Sequence, residues 1–172
     1  QPLEMSNLRL KNRFFMAPIG TGFHVNRMTD FLVARARGEV ALITTGEICV
    51  HPSGRAGIGA ELHLKTDDDI DTVAPMVKAV QNAGAKIIAQ LNHAGRYSFG
   101  ELRGEPAVAP SPIASRYTGE TPRELSTEEV DDLVIAFAEA TVRAQKAEFD
   151  GIEFLGSSGY LISQFLSPLT NK

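Results

Sequence analysis

The sequence predicts an α/β protein built around a parallel sheet. Two observations carry that expectation. Four short apolar runs recur along the 172 residues, near-continuous instead of alternating. Three segments with helical periodicity lie between them. Near-continuous runs suit strands covered on both faces, and strict alternation with helices suits parallel crossovers. The pattern fits a closed barrel and an open doubly wound sheet alike. A third observation weighs against the open, dinucleotide-binding form. No strand is followed by G-x-G-x-x-G, and the nearest match, Gly57-Ile58-Gly59, fails at the third glycine. No phosphate-binding G-x-x-x-x-G-K-[ST] loop is present either.

The predicted strands are residues 13–16, 40–45, 86–91 and 151–155. The first helix, 28–38, is the shortest. The second, 69–84, spaces Ile70, Val73, Val77 and Val80 along one face and has Gly84 placed to end it. Pro75 is awkward inside it and implies a later start or a kink. The third helix opens on Ser126-Thr127-Glu128-Glu129, a capping-box pattern, and should run to about residue 148. Val130, Leu133, Val134, Phe137 and Thr141 mark its apolar stripe. Two long connections, about 50–68 and 92–125, leave the carboxyl ends of strands. Active-site loops occupy that face in either architecture.

Composition narrows the class of function. The net charge is −4, with no block of Lys or Arg to neutralise phosphates, so a nucleic-acid partner is not expected. No apolar stretch approaches the ~20 residues that cross a bilayer, and no signal peptide opens the chain, so a cytoplasmic protein without a membrane partner is expected. The lone cysteine, Cys49, excludes an intramolecular disulfide and is expected to be a buried structural thiol. With Cys49, the histidines His24, His51 and His63 show no ligand spacing, so no metal is assigned and these histidines are read as surface or loop residues. Asp67-Asp68-Asp69 reads as a charge cluster favourable to a helix N-terminus. Ser157 and Ser158 do not form a G-x-S-x-G elbow. Glu47 and Glu153 would be the carboxylate pair of a glycosidase barrel, but nothing else supports that use.

Chemistry-bearing clusters fall at four strand ends: Met16-Ala17-Pro18-Ile19-Gly20, Thr45-Gly46-Glu47, Gln90 through Tyr97, and Gly156 through Leu161 continuing into Gln164-Phe165-Leu166-Ser167-Pro168. Glycine lets backbone approach a flat ligand closely. An amide such as Gln90 offers one acceptor and two donors to a heterocycle edge.

Taken in order, Lys11-Asn12-Arg13, Ala17-Pro18, Gln90-x-x-His93-Ala94-Gly95-Arg96 and Gly159-Tyr160-Leu161 with Gln164-Phe165-Leu166-Ser167-Pro168 resemble the Old Yellow Enzyme family of FMN oxidoreductases over essentially the whole chain. The stretch Gly156-Ser157-Ser158-Gly159-Tyr160-Leu161 is most similar to the 2,4-dienoyl-CoA reductase-like branch. The resemblance implies a (β/α)8 TIM barrel of which residues 1–172 form the N-terminal half, with about the first four strands present. A complete barrel takes ~250 residues. It implies FMN across the mouth of the barrel, reduced by NADH or NADPH, with hydride passed on to an activated C=C bond. Ala17, Pro18, Ile19, Gly20, Gly46 and Gln90 match cofactor-contacting positions, Gly46 packing against the ring. Tyr160 matches the proton donor, and a phenol with pKa about 10 holds its proton at neutral pH. His93, Arg96 and Ser158 match substrate-contacting or supporting positions. A 4Fe-4S cluster or FAD would belong only to a downstream part.

Two departures qualify the match. Leu155 and Ser158 stand where most of the family has a His-x-x-His or His-x-x-Asn pair gripping a substrate carbonyl, as in the dienoyl-CoA branch. Gly20 stands where many relatives carry a Thr or Cys that hydrogen-bonds the flavin. The expected partner is a small alkene, with a homo-oligomer open. A non-flavin lyase or aldolase barrel is the alternative enzyme, although Lys86 starts its strand and sits at the wrong end. A non-catalytic half-barrel assembly module is the other alternative. Half a barrel leaves two sheet edges open, so the isolated chain is expected to bind FMN poorly and to associate.

Overall fold

The computed structural model describes residues 1–5, 8–56 and 62–172, the side chains of Leu102 and Arg103 aside; Gly57-Ile58-Gly59 lies outside the described residues. The chain opens with two short antiparallel strands, β1 (Leu3–Met5) and β2 (Leu8–Leu10), that the apolar pattern does not signal. The main sheet follows: β3 (Phe15–Met16), helix α1 (Val25–Arg37), β4 (Leu42–Cys49), the short β5 (Leu62–His63), α2 (Asp68–Asn82) and β6 (Lys86–Asn92). A long connection carries α3 (Gly100–Arg103) and the two-residue strands β7 (Val108–Ala109) and β8 (Arg123–Glu124). Then come α4 (Thr127–Lys146), β9 (Gly151–Phe154) and α5 (Leu161–Leu166). Strands β3, β4, β6 and β9 pair in that order, all parallel, as the alternating pattern predicts.

The pleat decides between barrel and open sheet. Ile43, Ile48, Ile87, Ala89 and Leu91 are buried in one core with Met28, Leu32 and Ala36 of α1, Val73, Met76, Val77 and Val80 of α2, and Ala140 and Ala144 of α4. All three crossover helices therefore cover the same face of the sheet. A doubly wound sheet would place helices on both faces, so this is barrel geometry. Each fully buried aliphatic side chain of this core contributes about 1.5–3 kcal/mol. The other face carries Leu42 and Ile88, against which β1 and β2 pack with Leu3, Leu8 and Leu10.

At the amino end of the sheet Asp150 ties the strands together. Its carboxylate accepts from Lys86 Nζ at 2.7 Å, the Ile87 amide at 2.9 Å and Gln81 Nε2 at 3.2 Å. Lys86 is thus committed to a structural ion pair at the end remote from the loops.

Several boundaries differ from expectation, for identifiable reasons. The first strand is reduced to Phe15–Met16, because Asn12 Oδ1 caps the Phe14 amide and Asn12 Nδ2 donates to the Glu39 carbonyl. Helix α1 begins at Val25, three residues early, with no side-chain cap at His24 to mark its start. Helix α2 runs through Pro75; the proline is exposed, so the carbonyl it frees can face water. The predicted capping box is present: Ser126 Oγ accepts from the Glu129 amide and Glu129 Oε2 accepts from the Ser126 amide. The stripe of α4 is narrower than predicted. Leu133, Ala140 and Ala144 are buried, whereas Val134 is 63% exposed beyond the last strand of the sheet. Asp67 does more than favour a helix dipole: it pairs with Arg143 and Lys146 of α4. Asp69 accepts from the Lys65 and Thr66 amides, closing the turn into α2.

Candidate active site

The site begins with an irregularity in β4. Thr44 pairs with Ile88 and Glu47 with Gln90, so three steps along β4 match two along β6. The extra residue is a β-bulge, a device that re-aims side chains. In a regular strand Gly46 would stand beside Gln90. The bulge puts Glu47 there, and Gln90 in turn pairs with Glu153 of β9. Glu47, Gln90 and Glu153 form one row across the carboxyl end of the sheet. They lie on the face opposite the helices, since the alternate residues Ile48 and Leu91 are buried in the helix-facing core.

Above this row is a cleft of about 300 Å³ lined by Pro18, Glu47, Gln90, Glu153 and residues 154–158 with Tyr160. Gln90 is buried, and its Nε2 donates to Glu153 Oε1 at 2.6 Å. Its amide keeps one N–H and the carbonyl oxygen for a ligand. The Gln90 backbone amide donates to Thr45 Oγ1, which fixes the strand beneath it. Tyr160 is half-buried where α5 begins, with its ring 5.9 Å from that of Tyr97. Gly159, at φ +80°, makes this possible: a Cβ there would strike the Tyr97 phenol. Tyr97 continues to Tyr117 and Tyr117 to Phe99, each at 5.6 Å between ring centroids.

Two buried side chains hold the loops behind the cleft. His93 is 1% exposed. Its Nδ1 accepts from the Gly95 amide at 3.0 Å, so the ring proton belongs on Nε2, which lies 2.9 Å from Ser53 Oγ. Ser53 in turn meets His51 Nδ1 at 2.8 Å, and burial lowers the pKa of His51. Gly54 must be glycine because a Cβ would enter the His93 ring. Gln164, also 1% exposed, accepts from the Arg96 amide and donates to the carbonyls of Ala94 and Gly159. It fills the space beside Gly95, whose φ of +60° already disfavours a side chain.

The structure therefore separates the residues that the sequence grouped together. Pro18, Gln90, Ser158 and Tyr160 converge on the cleft, with Leu155 beside them. Ala17, Ile19 and Gly20 are exposed on the adjoining loop. Gly46 does not present an open face: it is buried, and a Cβ there would lie 2.5 Å from the Ile19 carbonyl oxygen. Its smallness lets the β3 loop cross β4. His93 is built into the scaffold. Arg96 is not among the residues lining the cleft; its guanidinium lies 5.4 Å from the Tyr97 ring centre, and its buried Nε has no hydrogen-bond partner among the described residues. Cys49 is buried as expected. His51 and His63 are half-buried, and burial with the neighbouring Lys65 pushes His63 down to about 4. Glu47 and Glu153, set aside from the sequence, are cleft residues; only the bulge, which residue pattern does not reveal, brings Glu47 there. Among the described residues no group of three or more His, Cys, Asp or Glu is arranged for a metal, and no helix is long and apolar enough to cross a membrane.

Comparison with known proteins places this geometry. A model of the NADH:flavin oxidoreductase / NADH oxidase family matches residues 1–172. The chain is 47% identical over 178 residues to a metal reductase of Desulforamulus reducens, covering 99% of this chain and 26% of that protein. It is 39% identical over 173 residues to an NADPH dehydrogenase of Clostridium acetobutylicum, covering 97% of this chain and 50% of the relative. The structure of morphinone reductase in complex with tetrahydroNAD superimposes with a TM-score of 0.91 at 27% identity, over 100% of this chain and 53% of that one. The chain thus spans a quarter to a half of the length of these relatives, and its fold is half of their barrel. It belongs to the NADH:flavin oxidoreductase / NADH oxidase family, of Old Yellow Enzyme type.

Proposed function

We propose that this chain is the cofactor-binding half of an FMN-dependent oxidoreductase that takes hydride from NADH or NADPH and delivers it to an activated C=C bond. One observation carries the reading: Pro18, Gln90 and Tyr160, from three different strand ends, meet at a single cleft on the carboxyl side of a parallel sheet. The residues suit FMN. Gln90 offers a donor and an acceptor, Pro18 an apolar wall, and Gly156 has room beside it, with only Ile162 within 4 Å of an added Cβ. FMN bound there supplies the hydride chemistry, which side chains cannot.

The chain's own residues do the rest. Gln90, locked by Glu153 and Thr45, orients the heterocycle edge. Tyr160, braced by Tyr97, holds a phenolic proton at the cleft for the carbon next to the one receiving hydride. Positioned general acids of this kind contribute on the order of 10²–10⁴-fold. Leu155 and Ser158 leave no paired imidazoles to grip a ketone oxygen. This supports an enoyl or dienoyl thioester, as in the 2,4-dienoyl-CoA reductase-like branch, over a simple enone. No lysine is among the described residues lining the cleft, and Lys86 is held by Asp150 at the amino end of the sheet, so a Schiff-base aldolase is less well served.

Tyr160→Phe in the full-length gene product tests the assignment. Reduction of the flavin by NAD(P)H should survive, while reoxidation by the alkene slows at least 100-fold, consistent with loss of a positioned acid. Equal alkene rates in variant and wild type would remove Tyr160 from the chemistry.

A further inference from the structure

Glu47 is a charged residue of the cleft with no role in the reading above. The bulge turns it into the row beside Gln90, at the position Gly46 would hold in a regular strand. Its carboxylate occupies the space beside Gly20, 3.1 Å from where a Cβ at that glycine would stand. Glu153, the other acid of the row, accepts a hydrogen bond from the Gln90 amide. Glu47 has no hydrogen-bond or ion-pair partner among the described residues, and its side chain lines the cleft.

We propose that Glu47 sets the reduction potential of the bound flavin, holding it low by electrostatic opposition; this rests on the FMN reading above. Hydride delivered from NAD(P)H adds one negative charge to the cofactor as the nicotinamide becomes cationic and leaves. A fixed carboxylate in a partly desolvated cleft opposes that added charge more than it opposes neutral oxidised flavin. The reduced cofactor is then the better hydride donor. This favours an acceptor that is hard to reduce, such as a conjugated thioester, over an easily reduced quinone. Charge, not shape, is the operative property. An aspartate should therefore preserve the effect and a glutamine should abolish it.

The test is a potentiometric titration of the FMN-loaded full-length protein, with wild type, E47Q and E47D, together with binding of oxidised and reduced FMN to the apoprotein. E47Q should raise the potential and shift the ratio of reduced to oxidised affinity at least tenfold toward reduced FMN, about 30 mV for a two-electron couple. E47D should stay within threefold of wild type. An E47Q protein that keeps FMN at an unchanged potential overturns the inference. So does an E47Q protein that folds but no longer holds FMN, provided E47A behaves the same way, because Glu47 is then a binding contact. Unfolding of E47Q also overturns it by making the residue structural. A wild-type protein that takes up no FMN fails differently: it refutes the flavin reading on which the inference stands.

Discussion

Gln164 should be among the most costly polar residues to remove, although it touches neither the cleft nor any charged group. Its side chain satisfies three backbone groups: the Arg96 amide at 3.1 Å, the Ala94 carbonyl at 3.2 Å and the Gly159 carbonyl at 2.6 Å. Gln164→Ala orphans the Arg96 amide and the Gly159 carbonyl, while the Ala94 carbonyl keeps the Tyr97 amide, around a side chain that is itself 1% exposed. A buried polar group without a partner costs about 1–3 kcal/mol, and partial exposure of these two brings the sum to about 2–4 kcal/mol. That is a large fraction of the ~5–15 kcal/mol that holds a domain together. Gln164→Glu should cost nearly as much, because it replaces the donor that faces two carbonyls with an acceptor. The assay is urea denaturation of the full-length protein, following circular dichroism, with the Ser163→Ala variant as a partly exposed control. A Gln164→Ala change below about 1 kcal/mol, the worth of one ordinary hydrogen bond, would refute the view that this amide bolts the two loops together.

Two further outcomes follow from the geometry. His63 has its pKa lowered to about 4, chiefly by burial, so the unfolded chain binds a proton near pH 6.5 that the folded chain refuses. Its contribution is complete above about pH 6.5 and is lost as pH falls toward 4; the denaturation midpoint should drop across that window, and His63→Gln should flatten the drop. A midpoint equally pH-dependent in the variant would count against it. Gly46→Ala must displace the Ile19 carbonyl, an overpacking cost of about 1–3 kcal/mol. Because Pro18 moves with that loop, FMN affinity should fall by tenfold or more in fluorescence titration. Unchanged affinity would show that the loop crossing is irrelevant to the cleft.

How much of this was legible in the sequence depended on the kind of interaction. The strand and helix order was readable because burial between helices and sheet leaves continuous apolar runs, and the α4 start was readable because capping is local chemistry between Ser126 and Glu129. Val134 misled because helical periodicity reports an apolar face without saying what covers it; here an apolar groove of about 520 Å³ with Phe137, Phe154 and Leu166 lies open beside the last strand. Gln90 and Tyr160, singled out through their motif, both line the cleft. Gln164 belonged to the same motif, yet its scaffold function shows only in the contacts it makes across some 70 residues of chain. Glu47 was missed as a cleft residue because a one-residue bulge exchanges its facing with that of Gly46, and nothing in residue type announces a bulge when the glycine itself is buried.

The most direct test of the account is the visible absorption spectrum of the purified full-length gene product before and after anaerobic NADH or NADPH. Flavin absorption bands that bleach on addition of the nicotinamide, and return when an enoyl or dienoyl thioester is added, are the predicted result. A colourless protein that takes up no added FMN would contradict the central claim, leaving the Pro18, Gln90 and Tyr160 cleft without its cofactor.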